Sequence, residues 1–105
     1  MIKEHLENKS LPVEVPKEKM YWRSGLLTTK SHDSYARVLM AASSEEAAKV
    51  LARHSLETHP EKYKIGSPPY ELTLVELIII AKARKDKEVL IYNENMEIIE
   101  RWPTG

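Results

Sequence analysis

Hydrophobic and polar positions along this chain change period several times, and each change marks an element. From Met20 to Thr29, Tyr21, Trp22, Leu26, Leu27 and two threonines suit a strand, and Tyr35 to Ala42 suits a second. In the second, Ala36, Val38, Met40 and Ala42 share a face that is expected to be the core side, with Tyr35, Arg37, Leu39 and Ala41 opposite. The polar run Lys30-Ser31-His32-Asp33-Ser34 between them predicts a turn and an antiparallel hairpin.

The period then becomes helical. Ser43 and Glu46 have the spacing of a capping box, which predicts a helix start. Ala48, Leu51, Ala52, Ser55 and Leu56 form the buried stripe, and Glu45, Lys49, Arg53 and Glu57 an outward row four residues apart. Pro60 ends this helix by about Thr58. Glu61 to Pro69 reads as a connecting loop, with Lys62 to Ile65 briefly extended.

Residues 71–81 fit two periods. Leu72, Thr73, Leu74, Val75, Leu77, Ile78, Ile79 and Ile80 read as a central strand buried on both faces. Leu74, Leu77, Ile78 and Ala81 also trace a helical stripe that Ser67-Pro68 could start. The strand is favoured, because consecutive β-branched residues lose more side-chain freedom in a helix. Lys82 to Lys87 then reads as a charged turn. Val89 to Tyr92 and Met96 to Trp102 form a hairpin around Asn93-Glu94-Asn95.

The sum is an α+β domain over residues 20–105: an antiparallel sheet of four to five strands with one main helix packed on one face, β-β-α-β-β-β. Residues 1–19 precede it as an extended or disordered N-terminal arm, since Pro12 and Pro16 bracket Val13-Glu14-Val15 and disfavour helix. Leu11, Val13 and Val15 are the side chains such an arm would bury against a partner.

A length of 105 residues allows one core, and 42% hydrophobic with 30% charged residues is ordinary for a globular chain. Lys plus Arg and Asp plus Glu are 16 each, so no net field steers the chain toward phosphate or anionic lipid, and little repulsion opposes self-association. The absence of cysteine excludes disulfides and thiolate chemistry, and a cytoplasmic location is expected. The charged first residues lack a signal-peptide core, and the apolar run Leu77–Ala81 is too short to span a bilayer, so no membrane partner is expected.

Candidate chemistry is thin. Ser31, His32 and Asp33 are adjacent, so their side chains diverge and a catalytic relay cannot form. His54 and His59 are five apart, one too many for two ligands on one helical face, so no metal site is expected. Glu45 and Glu46 suit a helix N-terminus. Glu76 interrupts an apolar face on the strand reading and is the carboxylate of most interest. The three glycines form no phosphate loop, so neither an enzyme nor a cofactor is the expectation.

What remains is association. Tyr21, Arg23, Tyr35 and Arg37 are placed on the sheet face opposite the helix, an aromatic-arginine surface suited to a protein partner or a second copy. The expected function is a small non-enzymatic binding, regulatory or scaffold domain that self-associates. The alternative is nucleic-acid binding through Lys82, Arg84, Lys85 and Lys87, with Asp86, Glu88 and the zero net charge against it.

Overall fold

The computed structural model of the chain describes residues 19–28 and 38–105. The strands are β1 (Met20–Arg23), β2 (Leu26–Thr28), β3 (Val38–Ala42), β4 (Tyr63–Ile65), β5 (Tyr70–Thr73), β6 (Glu88–Tyr92) and β7 (Ile98–Pro103). The helices are α1 (Glu45–Thr58) and α2 (Leu74–Ala83). Five strands form one sheet in the order β5-β1-β3-β6-β7, and β2 and β4 form a separate antiparallel ribbon. The fold is α+β with a mostly antiparallel sheet. The expected arm lies outside the described residues save Lys19, and so do the turn at 30–34, Tyr35 and Arg37.

The expected antiparallel partnership of the first two strands holds in β1 and β3, with Trp22 opposite Ala42. The run Met20–Thr29 is not one strand. It breaks at Ser24-Gly25, where Gly25 adopts φ +79° and its carbonyl accepts from the amides of Gly66 and Ser67 at 3.1 and 3.0 Å. A Cβ there would collide with the carbonyls of Ser67 and Pro68. The break lets the chain leave the sheet as β2 and pair with β4, so Leu26 lies opposite Ile65.

The largest departure from expectation is residues 71–81. Only Tyr70–Thr73 is strand, paired antiparallel with β1, and Leu74–Ala83 is helix. A full capping box starts α2. The Thr73 hydroxyl accepts from the Glu76 amide at 3.1 Å, and the Glu76 carboxylate accepts from the Thr73 amide at 2.8 Å. Satisfying both ends of the turn outweighs the rotamer restriction of the isoleucines, which costs only tenths of a kcal/mol each, about 0.5.

With α2 present, both sheet faces are covered. α2 buries Leu74, Leu77 and Ala81 against Tyr21, Leu39, Ala41, Val89 and Ile91. α1 packs on the opposite face, where Ala47 and Ala48 meet Ala42 and Trp22. The larger cluster therefore lies under the Leu39/Ala41 face of β3, the reverse of the expected core side. Alternation groups these residues, because Leu39 and Ala41 of β3 pair with Val89 and Ile91 of β6, and all four face Leu74, Leu77 and Ala81 of α2. β3 and β6 run parallel, which the long crossover through both helices permits.

Elsewhere expectation and structure agree closely. α1 ends at Thr58 and buries Ala48, Leu51 and Ser55. Its cap is Ser44, one residue later than expected, with the hydroxyl accepting from the Ala47 amide at 3.0 Å. The β6–β7 hairpin turns at Asn93, whose side-chain oxygen accepts from the amides of Asn95 and Glu97.

Candidate functional site

Burial along β1 decides the fate of the expected interface. Tyr21 points toward α2 and is 0% exposed, so it offers no surface, contrary to the placement of this residue on an open face. Arg23, at the end of β1, donates from Nη1 to the Tyr70 hydroxyl at 3.2 Å. The two line a cleft of about 270 Å³ with Gly25, Leu26, Leu27, Gly66 and Ser67. Tyr21 and Arg23 thus share a face of β1, but only Arg23, at the end of the strand, reaches the cleft.

Tyr21 instead belongs to a polar network that the sequence reading missed. The Glu100 carboxylate accepts from Tyr21 Oη at 2.8 Å, Trp102 Nε1 at 2.8 Å and Lys19 Nζ at 3.0 Å. Partial burial pushes the Glu100 carboxyl up, but the hydrogen bonds from Trp102, Lys19 and Tyr21 together with the Lys19 charge outweigh it, so Glu100 titrates below its ordinary range. Burial first, and then the Glu100 contact, raises the Tyr21 phenol well above its ordinary value. The alternation Glu100-x-Trp102 was the available signal. The network ties the start of β1 to β7 and keeps the phenol protonated, which suits a structural latch rather than proton transfer.

Glu76 is an exposed capping residue, not the buried carboxylate of the strand reading. Glu94 lies far from Ser44 in sequence and accepts from its hydroxyl at 2.6 Å. That bond, first among the causes, lowers its carboxyl below the ordinary value. His54 is exposed on α1 and His59 is its C-cap. Among the described residues no three histidine or acidic side chains converge as metal ligands. Ser31, His32 and Asp33 lie outside the described residues.

The basic cluster spans the end of α2 and the turn into β6. Lys82, Lys85 and Lys87 line one concavity of about 410 Å³ with Asp86, Thr104 and Gly105. Arg84 turns instead to Asp86, with Nε 3.0 Å from Oδ2.

The most exposed feature of the sheet is its β7 edge. Ile98 and Ile99 are 40% and 48% exposed. They border Tyr92, which pairs with Ile98 across a bulge, and Arg101, which pairs with Leu90. Burial raises the Tyr92 phenol despite the opposing Arg101 charge, so this tyrosine is already partly desolvated. Among the described residues no helix is long and apolar enough to cross a membrane. Comparison of the chain with protein-family models, with curated proteins and with solved structures finds no match.

Proposed function

We propose that this chain is a non-enzymatic binding or scaffold domain of the cytoplasm that acts through protein contacts and associates with a second copy of itself along β7. The observation that supports this most is the exposure of Ile98 and Ile99 at the sheet edge, beside Tyr92 and Arg101. Aliphatic, aromatic and arginine side chains together are the composition of an interface centre.

A second copy suits this edge because the strand is self-complementary. Exposed Glu97 and Arg101 flank Ile99 at two residues on either side. Two antiparallel copies about a two-fold axis near Ile99 bring each Glu97 toward the Arg101 of the other copy. Zero net charge adds no long-range repulsion. The bulge and Pro103 interrupt the free edge, which favours side-chain contact over a long continuous ladder.

Charge reversal tests the arrangement. Glu97→Arg and Arg101→Glu each weaken self-association measured by sedimentation velocity, and the double reversal restores it. Loss in both single variants without rescue in the double counts against this pairing.

A further inference from the structure

α2 ends in a chain reversal closed by a lysine where glycine is the usual residue. The Asp86 amide donates to the Ala81 carbonyl at 2.8 Å and the Lys85 amide to the Lys82 carbonyl at 3.0 Å, the two bonds of a Schellman motif. Lys85 holds the left-handed position between them at φ 66°. Left-handed backbone is unfavourable for a residue that carries a Cβ, and a side chain held there at that cost points to a use for the side chain.

The reversal gathers cations. It brings Lys85 to the same concavity as Lys82 and Lys87, and none of the three is ion-paired among the described residues. Asp86 does not cancel them. Its side chain is 0% exposed, it faces Arg84, and neither of its oxygens accepts an aligned hydrogen bond. The end of α2 contributes roughly half a negative charge, against three full positive charges. Lysine ammoniums are flexible point charges, which suits them to phosphate oxygens without fixed geometry.

We propose that this groove binds phosphate groups, carried either by a single-stranded nucleic acid or by a free polyphosphate. The groove reaches the residues that follow β7, Thr104 and Gly105, but Ile98, Ile99 and Arg101 do not line it, so it is tested separately from self-association.

The test is fluorescence anisotropy of a labelled single-stranded oligonucleotide with the full chain at low salt, followed by competition with pyrophosphate. The wild type binds, and Lys82→Gln with Lys87→Gln weakens binding roughly tenfold and lowers the slope of log affinity against log salt by about 1.4. Lys85→Gly weakens binding while raising Tm by a few degrees, a pairing that loss of fold cannot produce. Lys49→Gln with Lys64→Gln, on α1 and β4, leaves binding unchanged. Displacement by pyrophosphate assigns the groove to free phosphate, and resistance assigns it to the nucleic-acid backbone. Failure of the wild type to bind either probe, or equal losses in the Lys49/Lys64 variant, overturns the proposal.

Discussion

Glu100 carries three hydrogen bonds from residues on two strands and the segment entering the sheet, so its ionisation is coupled to folding. Its carboxyl is lowered in the folded chain. The unfolded state therefore takes up the proton first as pH falls. The stabilisation is complete above the unfolded value of about 4.3 and is lost as pH drops through the lower folded value. Chemical denaturation of the wild type and Glu100→Gln should give a stability difference that shrinks below about pH 4. A difference unchanged from neutral to acid pH contradicts the network. Gly25 is the other residue on which local geometry turns. Gly25→Ala meets both the left-handed backbone and the carbonyls of Ser67 and Pro68, and should destabilise by about 2–4 kcal/mol in the same measurement. Neither residue stood out in the sequence. A glycine between apolar pairs and a glutamate two before a tryptophan acquire meaning only from segments far along the chain.

At the scale of elements, local signals were legible where one period dominated. α1 could be read from its alanine-leucine stripe and Pro60, and the β6–β7 turn from its asparagines. α2 could not, because its apolar residues satisfy both periods. Thr73 and Glu76 had capping-box spacing in plain view, yet the isoleucine run argued louder for a strand. The two readings differ in what they do to Leu77 and Ile79. A strand puts both on one face, whereas the helix buries Leu77 completely and leaves Ile79 61% exposed. Leu77→Ala should therefore cost about 2–5 kcal/mol, and Ile79→Lys should stay within about 0.5 kcal/mol of wild type. Equal losses at the two positions in denaturant titration would restore the strand. The second helix also moved the candidate site. It buried Tyr21, and it placed Lys82 and Lys85 at a helix end, where the reversal of the chain rather than a loose loop sets their positions.

For the molecule as a whole, the two helices cover opposite faces of one sheet and leave its β7 edge exposed. The sequence reading pointed to a sheet surface with aromatic and arginine side chains. It named β1 and β3, whereas the most exposed large apolar residue of the five-stranded sheet is Ile99 on the edge strand β7, because strand order depends on the long crossover from β3 to β6 that no local pattern encodes. The proposed role rests on that edge bringing two copies together through Ile98 and Ile99. Light scattering coupled to size exclusion, over a series of protein concentrations, measures this directly for the wild type, Ile99→Glu and the α2 variant Ile79→Lys. The wild type and Ile79→Lys should rise toward twice the chain mass with concentration, while Ile99→Glu remains at the chain mass with an unchanged fold. A wild type that stays at the chain mass throughout, or an Ile99→Glu variant that still doubles, would contradict the account.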